Sequence, residues 1–370
     1  MVLVVTTALL LRGFYEAQTV DPQYDHDELV VATADMRSFG YEGQPAAELQ
    51  RRAIDAIRGL PGVEDVGQAL LTPLEARARR FFYRLPTQDE GRIVQTNNVS
   101  ANYFAVTGIQ IVRGRAFTPA EVAAEHPGVV IPTESTARSF WPDQDPIGKT
   151  LILEGFGDSS VEVVGIARDV EVAAIAETDT AYIYSPATVD SQGEMQLLVR
   201  TALPAASLRE AIVAVFERLD PQLPVRVWPL AENFEFWTKV SGLAASLSFS
   251  LGTLALVLAC VGIFGVMSTV VGRRKREIGI RVALGAGRAD VLGLMVRNSM
   301  QPVAVGAVVG ALGCFGAARL LSALLFGVNA LDPYALAGAA LAVLGAAFLA
   351  SAIPARQALK VDPMTALRYE

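Results

Sequence analysis

Hydrophobic and polar positions follow two regimes along this chain. Up to about residue 239 they alternate at the periods of strands and amphipathic helices, and beyond it they merge into long uncharged runs. In the first regime Leu29-Val-Val-Ala-Thr-Ala34 reads as a strand. Pro45 to Leu60 puts Leu49, Ala53, Ile54, Ile57 and Leu60 on one face and Arg51, Arg52 and Asp55 on the other, which predicts an amphipathic helix. Pro61-Gly62 turns the chain into a strand over Val63–Leu71. A second set follows: strands at Val161-Glu-Val-Val-Gly-Ile166 and Gln196-Leu-Leu-Val-Arg200, then a helix to Leu219 and a strand at Val225-Arg-Val-Trp228. Ser207 is placed to N-cap that helix, with Glu210 completing a capping box. The pattern predicts an α+β domain with β-α-β units near both ends and an inserted stretch, roughly residues 74–100, between them.

In the second regime Lys239 and Arg273 bracket 33 uncharged residues, Val240 to Gly272. A helix needs roughly 20 apolar residues to cross a hydrocarbon core of about 30 Å. Asn298 to Ala318 adds 21 uncharged residues and Pro333 to Ala355 another 23. Membrane helices are predicted at about 241–272, 298–325 and 333–354. The competing reading, buried helices of a soluble protein, fits uncharged runs of this length poorly. Gly306, Gly310, Gly313 and Gly316 have a spacing that lets helix backbones approach in lipid, although simple Ala/Gly richness gives the same spacing. Arg319 lies near the end of its run, where its head snorkels to the interface. Residues 1–11 are apolar, yet as a helix they reach only about 17 Å. No basic segment precedes them and no small-residue cleavage site follows, so they do not read as a signal peptide. The expectation is a truncated first membrane helix over residues 1–14, its missing half lying upstream or on a longer polypeptide.

Composition sharpens this picture. The 370 residues are 52% hydrophobic and only 19% charged, with a net charge of −7, too apolar for an ordinary soluble protein or a disordered one. Residues 241–370 hold 11 Lys and Arg against 5 Asp and Glu, while residues 1–240 hold 20 against 33. An acidic water-facing half precedes a basic apolar half. The acidic balance argues against nucleic acid as a partner. Arg273, Arg274, Lys275, Arg276, Arg281, Arg288 and Arg297 cluster between the first two long runs, against only Glu277 and Asp290. Positive residues stay inside, so 273–297 faces the cytoplasm, 12–239 lies outside, and the tail from Arg356 returns inside.

Catalytic chemistry is hard to find. Cys260 and Cys314 make no disulfide scaffold, and His26 and His126 stand in no metal motif. Gly148-Lys149-Thr150 lacks the glycine a phosphate loop needs five residues earlier, where Asp143 stands, and reads as a turn. Gly285-Ala-Gly287 begins a dinucleotide fingerprint, but Asp290 occupies the third glycine position. No catalytic, cofactor-binding or metal-ligating residue is predicted, and the chain is not expected to be an enzyme.

The informative stretch is Glu277-Ile-Gly-Ile-Arg-Val-Ala-Leu-Gly-Ala-Gly-Arg-Ala-Asp-Val291. Physically it extends the first long helix past the basic cluster, breaks at Gly285 to Gly287 and restarts with Asp290 well placed in a first turn. Ile278, Leu284 and Val291 stand too far from lipid to be buried there, which points either to docking in a partner's groove or to a polar interfacial connector. The segment resembles the coupling segment of the FtsX-like, MacB-type ABC transporter permeases, whose pattern runs close to E-I-G-I-x-x-A-L-G-A-x-x-x-D-V. The tail Pro354-Ala-Arg-Gln-Ala-Leu-Lys-Val-Asp-Pro-Met-Thr-Ala-Leu-Arg368 resembles that family's ending. So do Tyr103-Phe104 through Gly108-Ile109 to Gly114-Arg115-Ala-Phe117, Asp145-Pro-Ile-Gly-Lys149, and Val163-Val-Gly-Ile-Ala-Arg-Asp169. The motifs cover essentially the whole chain in the family's order.

Two departures stand out: the half-length first helix, and Val130-Ile-Pro-Thr133 where the family has V-I-N-E, which puts the local turn in question. Leu325-Phe-Gly-Val-Asn-Ala-Leu-Asp-Pro333 and the ending Leu-Arg-Tyr-Glu370 are similar to the long duplicated permeases, of which this chain resembles the C-terminal repeat. The resemblance implies an α+β extracytoplasmic domain over residues 15–239 and an α-helical transmembrane bundle over 240–370, nominally of four helices with the truncated first. It implies a multi-pass protein of the bacterial cytoplasmic membrane, working in efflux or export by mechanotransmission. Its partners would be membrane lipid, a second permease unit, a periplasmic adaptor, and an ABC-type ATPase docked under the coupling segment. Residues carried over to that contact are Arg276, Glu277, Ile278, Gly279, Ile280, Arg281, Ala283, Leu284, Gly285, Ala286, Asp290 and Val291. Lipoprotein release and regulation of cell-wall hydrolases are alternatives within the family. A membrane-anchored ligand sensor is the alternative of another class, which the short cytoplasmic stretches disfavour.

Overall fold

The computed structural model describes residues 2–19, 24–75, 77–124, 126–155, 158–170, 181–273, 305–306, 308–310, 313 and 333–358. They divide into two compact units, one formed by Thr19–Trp237 and the other by Met1–Gln18 with Thr238–Glu370. The expected divisions were at 14/15 and 239/240. The second unit contains helix α1 (Val2–Thr19), to which the next section returns.

The first unit has two lobes. One is built from β1 (Leu29–Ala34), α2 (Gly43–Arg58) and β2 (Val63–Ala69), completed much later by β11 (Gln196–Thr201), α6 (Ala205–Leu219) and β12 (Val225–Pro229). The strands lie in the order β2-β11-β1-β12, each antiparallel to its neighbour, so the two β-α-β units interleave as in the split β-α-β arrangement. Period-2 alternation explains β1. Val30, Ala32 and Ala34 face the helices, while Leu29 and Val31 face a second core on the other side. Ala46, Leu49, Ala53 and Ile57 of α2 are buried at helical spacing against Leu208, Ile212 and Phe216 of α6. On the wet side of α2, Arg51 pairs with Glu48 at 2.7 Å and Asp55 at 3.6 Å. One cap differs from expectation. Helix α6 starts two residues before Ser207, with Pro204 at the N-cap, and the Ser207 hydroxyl donates back to the Pro204 carbonyl at 2.7 Å. The proline fixes its own φ and sets the start of the helix upstream.

The other lobe draws on β3 (Arg80–Arg84), β4 (Arg92–Val99), β6 (Val129–Pro132), β7 (Thr150–Leu153), β8 (Ser159–Val163) and β10 (Tyr182–Pro186). They pair in the order β10-β6-β8-β7-β3-β4, and β10 also pairs in parallel with β4. The six strands therefore close on themselves as a small barrel. Residues 74–100, expected as an insertion, supply two of its staves. Tyr83, Val94, Val130, Leu151, Val161, Val163 and Ile183 form its core with Phe140 and Trp141, which lie in and just beyond α5 (Glu134–Phe140). Opposite Leu29 and Val31 the second core carries Tyr103, Tyr182 and Tyr184, whose hydroxyls burial pushes well up from the ordinary tyrosine range.

The family-like motifs make turns and close approaches here. Tyr103 and Phe104 open the short α3 (Tyr103–Thr107) and are buried. The ribbon of β5 (Ile111–Gly114) and β9 (Gly165–Ala167) brings Gly114 opposite Gly165. A Cβ on Gly165 would stand 2.2 Å from the Arg115 carbonyl oxygen, so no larger residue fits. The expected single strand over 161–166 breaks after Val163 because its end turns to this second partner. Arg115 grips Glu121 through its two terminal guanidinium nitrogens (2.7 and 3.0 Å), and Glu121 forms a capping box with Thr118 at the start of α4 (Pro119–Val122). The Arg115 hydrogen bond and those from Thr118 outweigh desolvation and lower the Glu121 pKa to about 2. Gly148, with φ +77°, donates its N–H to the Val163 carbonyl and turns the chain, as read from sequence, into β7, which Thr150 opens. Asp145 braces the same turn by accepting from the Ile147 N–H and from Arg113. Asp169 accepts from the Ser135 N–H and hydroxyl, and from Arg138, at the start of α5. At the departure Val130-Ile-Pro-Thr133 the strand ends at Pro132, and Thr133 leads into α5 with its hydroxyl 2.9 Å from that of Thr136.

Candidate functional site

The predicted contact residues Arg276, Glu277, Ile278, Gly279, Ile280, Arg281, Ala283, Leu284, Gly285, Ala286, Asp290 and Val291 lie outside the described residues. What is described is the helix that leads to them. Helix α7 runs unbroken from Ala231 to Arg273, 43 residues, or about 65 Å. It begins nine residues before the uncharged run that signalled it, because Glu232, Glu235 and Lys239 interrupt the apolar pattern but not the helix. Among the described residues, Ala231–Val270 is the one helix long and apolar enough to cross a membrane. The other long helix of its unit, α8 (Pro333–Ala358), contains a shorter apolar stretch, Ala337–Ile353. Of the expected crossing at 298–325, residues 305–306, 308–310 and 313 are described, all helical, so the described residues do not make up the expected four-helix bundle.

Within the helical unit α1 lies along α7. The Thr7 hydroxyl is 2.8 Å from the Leu3 carbonyl of its own helix and 2.7 Å from the Ser248 carbonyl of α7. The close approach occurs at small residues: a Cβ on Gly252 would stand 2.4 Å from Thr7 Oγ1, and one on Gly242 3.0 Å from the Phe14 ring. Helix α1 does not stop at Leu11. It extends to Thr19, about 27 Å, and the Arg12 guanidinium lies over the Tyr334 ring at 5.8 Å. Against α8, Cys260 Sγ is 3.7 Å from the Ala346 carbonyl, beside a cavity of about 60 Å³ lined by Val4, Ala259, Ile263 and Val343. Leu243, Leu247, Leu258 and Val261 of α7 remain more than half exposed, as suits a helix whose solvent is lipid.

The foot of α7 belongs to the first unit and is tied into it. Leu230 is buried, and its N–H bonds the Leu29 carbonyl. Asn233, in the first helical turn, uses both ends of its amide. Its Oδ1 accepts from the Trp228 indole N–H at 3.1 Å, and its Nδ2 donates to Thr72 Oγ1 at 3.2 Å and to the Pro73 carbonyl at 3.1 Å. An indole only donates and a carbonyl only accepts, so the amide has a single orientation that serves both. Thr72 in turn donates its N–H and hydroxyl to Glu75 Oε2, which also accepts from Gln196 at 2.6 Å, while Glu75 Oε1 pairs with Arg77. Sequence reading missed this cluster because Asn233 and Pro73 are 160 residues apart, and no local period links them. Among the described residues no His, Cys, Asp and Glu side chains gather as metal ligands would.

An acidic α+β unit, from whose last strand a long apolar helix departs toward a basic cluster, describes a membrane protein with a large water-facing domain. Comparison makes the class specific. Residues 1–215 match the model of the MacB-like periplasmic core domain, and residues 249–363 that of the FtsX-like permease C-terminal region. The chain belongs to this membrane-embedded family of ABC transporter permeases. It is 25% identical over 323 residues to YknZ, an uncharacterized ABC transporter permease of Bacillus subtilis, covering 85% of this chain and 78% of that one. It is 26% identical over 330 residues to the macrolide export ATP-binding/permease protein MacB of Hahella chejuensis, covering 86% of this chain and 48% of that protein. The chain thus spans about half the length of that relative. The periplasmic region of MacB from Actinobacillus actinomycetemcomitans superposes with a TM-score of 0.40 at 13% identity, over 56% of this chain and 91% of that one.

Proposed function

We propose that this chain is the permease unit of an ABC transporter in the bacterial cytoplasmic membrane, where it turns nucleotide-driven closure of a separate ATPase into movement of its exported domain for efflux or export. The observation that carries the reading is the continuity of α7. One helix begins against the exported sheet at Ala231 and reaches Arg273, the first residue of the basic cluster that precedes the contact segment. A continuous helix transmits displacement along its axis without the slack of a loop. The remaining parts of the reading are a second permease unit beside this one, a periplasmic adaptor on the exported domain, and lipid around the helices. The ATPase contact is assigned to Glu277–Val291, with Arg276 at its head, and this chain contributes no ATP chemistry of its own.

Leu284→Asp tests the assignment. A charge forced into a docking groove without a partner costs several kcal/mol, so the variant should insert in the membrane normally yet lose co-purification with its ATPase. Retained association together with unchanged transport would reduce 273–297 to a connector.

A further inference from the structure

The hydrogen-bond chain at the foot of α7 touches both chain connections between the two lobes, which also meet where Ala69 of β2 pairs with Val99 of β4. The chain passes from β2 to β3 through residues 70–79, and from β10 to β11 through residues 187–195. Thr72, Pro73 and Glu75 lie in the first connection, and Gln196 is the residue at which the second enters β11. Glu75 holds both, accepting from Thr72 in one and from Gln196 in the other. Asn233 adds α7 to the set.

Between them sits an outlier. Leu74 is 2% exposed and has φ +59°, a conformation a branched side chain adopts only when its surroundings hold it there. Asn233 hydrogen-bonds the two residues immediately before it.

We infer that Asn233 is a positioning residue that rivets the foot of α7 to the strained Thr72–Leu74 corner, delivering displacement of the helix to the hinge between the two lobes. The inference rests on the lever reading of α7 given above and adds where the lever ends. Movement of the first helical turn pulls on the Pro73 carbonyl and Thr72 hydroxyl directly. Through Glu75 it reaches Gln196, so both interlobe connections shift together and the barrel moves against the four-stranded lobe.

The test has two arms on the full-length chain. The first needs no partner: hydrogen exchange of the chain in nanodiscs, comparing wild type with Asn233→Ala, Asn233→Asp and Thr72→Val. Loss of the Nδ2 donors should speed exchange over residues 71–75 about tenfold, with the β1–β12 amides unchanged. Asn233→Asp should behave like Asn233→Ala, because it keeps the acceptor for Trp228 and loses the donors. Unchanged exchange over 71–75 in both Asn233 variants would overturn the rivet. Thr72→Val, the nearly isosteric change, serves the same comparison if the Asn233 variants misfold. The second arm places spin labels at Gln88 in the barrel lobe and Glu217 in the other, and measures their separation with and without ATP in the complex with the co-purifying ATPase. The wild-type separation should change with ATP, and the Asn233→Ala separation should not. A wild-type separation that ignores ATP would overturn the lever reading itself. A change of equal size in wild type and Asn233→Ala would leave the lever standing and overturn the role of Asn233.

Discussion

Asn97 offers a direct measure of how firmly the connection between the lobes is held. It lies in β4 at 1% exposure and imitates a strand partner for Leu71, accepting from the Leu71 N–H at 3.0 Å and donating to the Leu71 carbonyl at 2.8 Å. Asn97→Ala strands both backbone groups in a site where Leu71 is 8% exposed. An unsatisfied buried group costs about 1–3 kcal/mol, so the pair predicts a loss of about 2–4 kcal/mol. For a domain of this size each kcal/mol lowers the melting temperature by about 2–4 °C, giving a drop of roughly 5–15 °C. The assay is thermal unfolding of the full chain in detergent, followed by tryptophan fluorescence. Asn97→Asp supplies a control with a sign. Its carboxylate still accepts from the Leu71 N–H but cannot donate to the carbonyl, whereas the protonated acid can. Burial raises the folded pKa of such a group above its unfolded value, so the variant should be most stable below about pH 4 and lose stability as pH rises through the folded pKa. A melting temperature for Asn97→Ala within about 2 °C of wild type, or a pH-independent deficit for Asn97→Asp, would refute the reasoning.

Two further predictions concern the β5–β9 region. The Glu121 pKa, lowered from 4.5 to about 2, contributes stability that is present above pH 4.5 and lost as pH falls toward 2. Allowing for solvent screening of the half-exposed Arg115, its size is about 1–2 kcal/mol, and Glu121→Gln should flatten that part of the acid-unfolding curve; an unaltered curve would mean the Arg115 pair is thermodynamically idle. Gly165→Ala drives a Cβ into the Arg115 carbonyl and should open the ribbon at a cost of about 2–3 kcal/mol, seen as new tryptic cleavage after Arg113 or Arg115, where an unchanged digest would show that the ribbon tolerates the methyl.

Most of the four-stranded lobe was legible because its strands and helices bury one clean period each. Val30, Ala32 and Ala34 alternate, and Leu49, Ala53 and Ile57 repeat at helical spacing. The barrel was less legible because β4 buries the polar Gln95, Thr96 and Asn97, and the partner of Asn97, the Leu71 backbone, comes from another part of the chain. Read by itself the polar stretch looks like a surface insertion. The start of α7 was hidden by Glu232, Glu235 and Lys239, since a search for uncharged runs stops at a charge whether or not the helix does. The motifs recognised by resemblance mark turns and close approaches, Gly165 against Arg115 above all, and a short sequence pattern records such local needs well. Asn233 meets Thr72 and Pro73 only in three dimensions, so that cluster was invisible.

The strand order also governs how the α+β unit can be made. β1 and β2 do not pair with each other; β11 fills the slot between them, arriving more than a hundred residues later. The barrel likewise waits for β10 to seal against β4. Neither lobe can finish until nearly the whole unit has been synthesised, and until then each keeps a strand-wide gap of unpaired backbone open to the wrong partner. Chains released before about residue 182 would carry both gaps permanently and should behave as aggregation-prone sheets rather than as smaller folded domains.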